Sequence, residues 1–264
     1  MSILISTNMY PQNDFSRVFS YAEEMEGRAG VEIFPLFHQP GYEETLKSFL
    51  PGLKKFPVSF HGPYYQAEHS AAPGTEEYCR TMEMFRKTLE YCAVLSGRYV
   101  VFHHNNCSVI GADRPELIRI SCENYYKAEE MSRTYGIPVV VENAGVSAYG
   151  TMMFDQKEFI NLCRKENYQV LIDIGHANAN GWNLRQVMEE LKDQITAYHV
   201  HNNDGIHDGH QRILNGTLNF EQFLTDFREL TPEADLVVEY GADVADDEAG
   251  IRSDLKKIAQ IPFL

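Results

Sequence analysis

Eight short apolar runs constrain this chain more than any other feature: ILIST (3–7), VEIFPL (31–36), FPVSF (56–60), YVVFH (99–103), IPVVVE (137–142), QVLIDI (169–174), TAYHVH (196–201) and DLVVEY (235–240). A strand with one wet face alternates apolar and polar residues. Runs with little alternation fit strands covered on both faces, as in parallel sheets. Helical patterns separate them. PELIRISCENYYKAEEMSRTYG carries Pro115 near its start and Gly136 just past its end, the usual helix punctuation; TEEYCRTMEMFRKTLEYCAVLSG and NFEQFLTDFREL read alike. Eight strand–helix alternations, 25–43 residues apart and without a Pro-, Gly- or Ser-rich linker, predict a single (β/α)8 TIM barrel over residues 1–264. An open doubly wound sheet normally has a Gly-rich phosphate turn after its first strand, and STNMYPQND is not one.

Charge and cysteine usage narrow the setting. A net charge of −15 repels phosphate backbones and anionic membranes, which disfavours nucleic acid as a partner. No apolar run approaches the ~20 residues of a membrane span. The five cysteines (Cys79, Cys92, Cys107, Cys122, Cys163) are odd in number and form no CxxC pair, as expected of reduced thiols in a cytoplasmic protein. The start, MSILISTNMYPQND, lacks the basic n-region of a signal peptide.

The polar residues sort by position. Apolar runs end in potential metal ligands: His61 after PVSF, His103 after VVF, Glu142 after VVV, Asp173 after VLI, His201 after YHV and Glu239 after VV. Barrel enzymes carry their chemistry at this C-terminal rim. All ten histidines (His38, His61, His69, His103, His104, His176, His199, His201, His207, His210) are expected at strand ends or in the loops that follow, none in a helix body. One such histidine is more often a hydrogen-bonded structural residue than a ligand. That explanation fails for the set. Glu142, Asp173 and Glu239 would face one small space, and like charges so placed need a shared cation or strongly raised pKa values. A divalent metal meets that need.

Local spacing adds detail. In DIGH, Asp173 and His176 are three apart at a turn, so both can point into the barrel mouth. In HVH, His199 and His201 share a strand face, His199 about 7 Å deeper; His201 is the better ligand and His199 the better support. DGH supplies Asp208 and His210, enough for an additional ion. His103 and His104 face opposite ways, and parity alone does not choose between them.

These residues resemble the xylose isomerase-like barrel superfamily, which groups sugar and sugar-phosphate isomerases and epimerases with endonuclease IV. The resemblance covers nearly the whole chain in strand order. It implies one divalent metal held by Glu142 of VEN, Asp173 of DIGH, His201 of HNND and Glu239 of VEY. The endonuclease IV pattern adds His61 of HGPY, His103 of FHHN, His176 of DIGHANANG, and Asp208 with His210 of DGH, and implies three zinc ions. The chain departs from both patterns. HQRILNGT stands where a GxG-type turn follows DxH, and NNDGIHD lacks the arginine that ketose 3-epimerases carry after the strand-seven histidine.

The resemblance therefore implies a metal-dependent isomerase or epimerase of a small sugar or sugar phosphate, using one to three ions (Mn, Zn, Mg or Co). Proton transfer would pass through a metal-stabilised enediolate. Glu142 and Glu239 would serve as base and acid on two faces of the carbon, with His176 positioning substrate. Tyr64 (or Tyr65), Trp182, His104 and His199 are expected substrate contacts. The first alternative is an endonuclease IV-like zinc phosphodiesterase. Against DNA, Asp243, Asp246, Asp247 and Glu248 sit in the last loop, and only Arg17, Arg114 and Arg212 stand out as basic residues near the rim. The second alternative is a catalytically degenerate barrel that binds metal and sugar. A homo-oligomer is compatible with each.

Overall fold

A computed structural model describes residues 1–11, 14–25 and 27–260; the last four residues of the expected 1–264 span lie outside it. Eight parallel strands close into a barrel in chain order, the last pairing with the first through Ile3–Leu236, Leu4–Val237 and Ile5–Val238. The strands are β1 (Ile3–Ser6), β2 (Ala29–Ile33), β3 (Val58–Phe60), β4 (Val100–Phe102), β5 (Val139–Glu142), β6 (Val170–Asp173), β7 (Ile195–Val200) and β8 (Asp235–Val238). Around them run α1 (Val18–Glu24), α2 (Tyr42–Leu53), α3 (Glu76–Val94), α4 (Arg114–Tyr135), α5 (Gln156–Glu166), α6 (Ile174–Ala179), α7 (Leu184–Leu191), α8 (Phe220–Leu230) and α9 (Glu248–Ala259). None is long and apolar enough to cross a membrane among the described residues. Each apolar run holds one strand. The second differs most from expectation: its ladder starts at Ala29 and ends at Ile33, two residues before Pro35, which has no N–H to donate.

Helix ends follow local chemistry. Thr75, Asp113 and Asn219 cap α3, α4 and α8 with their side chains, and Gly136 closes α4 at φ +66°.

Strand parity divides the core in two. Ile3, Ile5, Val31, Ile33, Val58, Phe60, Val100, Phe102, Val139, Val141, Val170, Ile172, Tyr198, Val200, Leu236 and Val238 pack outward into the helix layer. The alternate residues Leu4, Tyr99, Val101, Val140, Leu171, Ala197 and Val237 form a separate small cluster inside the barrel. Beyond it, toward the C-terminal end, the inward positions become polar: Ser6, Glu32, Ser59, Glu142, Asp173 and His199 are all at most 2% exposed. Two apolar faces at the bottom and one polar face at the top are what the runs encode.

The narrow interior makes Gly30 obligatory, because a Cβ there would lie 2.1 Å from the Pro57 carbonyl oxygen and 2.6 Å from Leu4 Cδ2. Gly30→Ala is expected to destabilise the barrel by about 2 kcal/mol or more, lowering Tm by about 4–8 °C in thermal unfolding followed by circular dichroism.

Candidate metal centre and active site

Continuing the inward parity of each strand past its ladder brings His61, His103, Glu142, Asp173, His201 and Glu239 to one end of the barrel, each at most 6% exposed. Three more side chains arrive from loops. His176 lies in the first turns of α6, contrary to the expectation that no histidine sits in a helix. Asp173 caps that helix, its Oδ1 accepting from the His176 N–H at 2.6 Å, which leaves Oδ2 for the site. Asp208 and His210 come from the loop after β7, pinned by the Asn202–Gln211 bridge, with His210 at φ +43°.

The nine side chains fall into linked groups. Glu142 Oε2 lies 2.9 Å from His103 Nε2 and 3.7 Å from His61 Nε2, and Glu142 Oε1 lies 3.2 Å from His176 Nδ1. Asp208 Oδ2 is 3.1 Å from both His176 Nε2 and His210 Nε2. His201 Nε2 is 3.0 Å from Asp173 Oδ2. The donor atoms of His61, His103 and Glu142 are mutually within 4.8 Å, as are those of His176, Asp208 and His210, and those of His201, His210 and Glu239. A cavity of about 300 Å³ opens above them, lined also by Asn8, Phe34, Tyr64, Tyr65, Asn105 and Tyr149.

Hydrogen bonding decides which nitrogens face inward. The Asn106 amide NH2 donates to the carbonyls of Pro63, Tyr64 and Ala67, so its Oδ1 is the atom facing His103 Nδ1 at 3.0 Å. His103 Nδ1 therefore donates to Asn106, which leaves Nε2 to face Glu142, where it donates to the carboxylate without metal and can turn a lone pair to an ion with it. His61 repeats the pattern, donating from Nδ1 to the Gly62 carbonyl at 2.7 Å. So does His210, donating to the Glu239 carbonyl at 2.9 Å. The inner nitrogens and the carboxylates thus face one another, and His176 Nδ1, His201 Nδ1, Asp208 Oδ1 and Glu239 Oε1 are buried without hydrogen-bond partners. Outer acceptors that orient imidazoles toward a shared cation are the usual surroundings of a metal. The residues fit one or more divalent ions.

The electrostatics agree. Burial pushes Glu239 up, to about 8, and Glu32 and Glu142 add to the rise against the opposing pull of His199 and His210. Burial acts the same way on Glu142, but His103 and His199 outweigh it and hold this carboxyl well below its usual range. His176 and His201 similarly overcome burial to bring Asp173 to about 2. Against burial, Asp208 raises His210 to about 10, and Asp173 and Asp208 raise His176 well above its usual value. With protons as the only cations the site holds charged imidazoles. A divalent ion supplies the same compensation and displaces those protons.

Two expected substrate contacts lie elsewhere. His104 follows His103 and so points outward, into the helix layer; its Nδ1 meets Ser121 Oγ at 3.0 Å among Phe102, Tyr125 and Phe154. Trp182 packs on Phe159, ring centroids 5.8 Å apart, against the outer core. His199 faces inward but is fully buried and does not line the cavity. Tyr64 does line it. Sequence reading missed Glu32, Asn8, Asn105 and Asn106. Only Glu32 left a clear signal, a carboxylate within an apolar run.

Gly175 is the second position where size is decisive, since a Cβ would lie 1.9 Å from His201 Cε1. Gly175→Ala improves helix propensity in α6 yet displaces His201, so metal affinity is expected to fall about tenfold or more while the fold persists, read by chelator competition with Mn2+. Because His176 and His210 bind protons more tightly than usual, Mn2+ affinity is expected to rise with pH from neutrality toward 10. The slope is about tenfold per pH unit for each proton displaced, measured by titration calorimetry in buffers of different ionisation enthalpy.

Comparison with known proteins places the fold. Two uncharacterized proteins of Methanocaldococcus jannaschii match: MJ1614, 23% identical over 57% of this chain and 58% of its own length, and MJ1311, 26% identical over 57% and 53%. The matches thus span little more than half of those relatives. Among solved structures, a D-tagatose 3-epimerase-like protein superposes with a TM-score of 0.78 at 18% identity, covering 98% of both chains. The IolI protein with a bound zinc atom gives 0.77 at 15%, over 99% of this chain and 98% of that one. An AP endonuclease, family 2, from Brucella melitensis gives 0.73 at 17%, over 98% of each. The model of the xylose isomerase-like TIM barrel family matches residues 19–261, and the chain belongs to that family.

Proposed function

We propose that this protein is a divalent-metal-dependent isomerase or epimerase of a small, unphosphorylated sugar that presents a carbonyl. One observation carries the reading. Glu142 on β5 and Glu239 after β8 converge from different walls on a single point, 3.2 and 3.3 Å from His199 Nδ1, beneath a cavity with no Lys or Arg in its lining among the described residues. The residues that would hold the metal are Glu142, Asp173, His201 and Glu239. When bound, the ion polarises a carbonyl and stabilises negative charge on adjacent oxygens.

The chain's own residues supply the rest. One glutamate takes a proton from the carbon beside the carbonyl, and the other returns one to the same carbon's opposite face (epimerase) or to a neighbouring atom (isomerase). Burial pushes Glu239 up, to about 8, while no ion is bound, so this is the carboxyl of the pair that holds a proton near neutrality before metal enters. His176 approaches Glu142 Oε1 at 3.2 Å and lines the cavity, where it orients substrate oxygens. Asn8 offers an uncharged donor and acceptor and Asn105 its Oδ1, and Tyr64 and Tyr65 offer apolar faces to a sugar ring. About 300 Å³ lies at the small end of ligand cavities, suited to a monosaccharide. The similarity to an epimerase-like protein and to zinc-bound IolI supports this assignment.

A second reading rests on the intact His61–His103–Glu142 and His176–Asp208–His210 groups, which could hold two further ions for phosphoester hydrolysis. Duplex DNA is a poor substrate for such a centre. Arg212 is locked on Asp254 and Asp247, Arg17 on Glu248, and Arg114 on Glu158 and the Met153 carbonyl. None is free to meet a phosphate backbone. The test joins metal content with two variants. About one Mn, Mg or Co per chain is expected. Glu239→Gln should lower isomerase or epimerase kcat on a panel of free ketoses by about 10²–10⁴-fold, whereas His61→Ala with His103→Ala should cost less than tenfold. Two to three zinc ions per chain, and loss of phosphoesterase activity in the double variant, would instead establish the hydrolase.

A further inference from the structure

Beneath the site, on the barrel axis, lies a pair that the mechanism above does not use. Glu32, from the middle of β2, and His199, from β7, are both fully buried, and Glu32 Oε1 accepts from His199 Nε2–H at 3.1 Å. The other Glu32 oxygen accepts from Ser59 Oγ at 3.2 Å. Glu32 is thereby held from both sides, and the imidazole it grips has one defined orientation. Its second nitrogen, Nδ1, lies 3.2 Å from Glu142 Oε2, 3.3 Å from Glu239 Oε2 and 3.8 Å from Asp173 Oδ2. It is hydrogen-bonded to none of them. A buried nitrogen surrounded by three carboxylates yet aligned with no single one points at the gap they share. Its donor atom also lies mutually within 4.8 Å of those of Glu142 and Asp173.

We propose that Glu32 is a positioning residue that presents His199 Nδ1 as a further donor to the metal held by Glu142, Asp173 and Glu239. The inference rests on the metal-binding part of the proposed function and not on the identity of the sugar. His199 then forms the floor of the metal centre and Glu32 its outer carboxylate. The arrangement matches that of His61, His103 and His210, whose outward nitrogens are held by Gly62, Asn106 and the Glu239 carbonyl. A carboxylate makes the ring a stronger donor than a carbonyl or amide does, so this imidazole should matter to affinity. Ser59 keeps Glu32 from rotating away.

Binding of Co2+ alone, with no sugar present, tests the pair. Wild type is titrated in competition with a chelator while the visible d–d absorption is recorded. Glu32→Gln is expected to weaken affinity about tenfold and to shift the d–d bands, with thermal unfolding confirming the fold; Glu32→Asp should restore part of the affinity. Wild-type-like affinity and spectrum in a folded Glu32→Gln protein would overturn the proposal while leaving the metal centre standing. A wild type that binds no Co2+ overturns both. Histidine-tautomer NMR of the zinc-loaded wild type needs no substitution: His199 protonated at Nε2 with Nδ1 metal-bound supports the pair, and His199 protonated at both nitrogens refutes it.

Discussion

Glu32, Glu142, Asp173 and Glu239 are each at most 2% exposed and meet at one end of a closed barrel. Four carboxylates cannot share a water-poor space as free anions, because the cost of burying each charge far exceeds the stability of a domain. The imidazoles around them are the answer built into the chain. His61, His103, His199 and His210 each have one nitrogen fixed by an outer acceptor and the other turned toward the carboxylates. Such a cluster is stable only with cations among it, and protons and divalent metals compete for that place.

The barrel makes this concentration affordable by separating functions along its axis. At the bottom, Leu4, Val101, Val140, Leu171, Ala197 and Val237 fill the interior with apolar volume, and Gly30 gives way to Leu4 and Pro57. The helix layer buries the alternate residues of the same strands. Folding energy therefore comes from below and outside the site. The upper interior is left to groups that would otherwise weaken a core.

Much of this was legible because strand parity and the C-terminal rim are one-dimensional properties. Once a run ends in Glu142 or Asp173, the side chain two residues back predicts which way it faces. Legibility stopped where the third dimension entered. The register of a three-residue strand such as β4 leaves His103 and His104 equivalent on paper, and only the ladder turns His104 outward. Trp182 reads as a sugar-stacking ring until α5 supplies Phe159 as its partner. Glu32 and His199 are 167 residues apart, joined across the barrel by closure alone. The arginines near the rim read as free charge in a sequence, and their partners Asp254, Glu248 and Glu158 come from other helices.

Those arginine pairs bear on what the cavity can accept. The acidic last loop looks like a bare negative rim, but Asp247 is tied to Arg212, and Glu248 to Arg17 and Arg252. Pairing neutralises much of this rim and occupies the guanidinium groups of Arg17, Arg212 and Arg252. The neutral polar side chains of the cavity wall are Asn8, Asn105, Asn106, Thr151 and the tyrosines, while its charged groups, Glu142, Glu239, Asp208, His176 and His210, gather at the metal-binding floor. A sugar carries hydroxyls that exchange water for such amides and hydroxyls at little net cost. The ion pairs of α9 and the last loop thus stand apart from Glu142 and Glu239, whose carboxylates lie at the cavity floor.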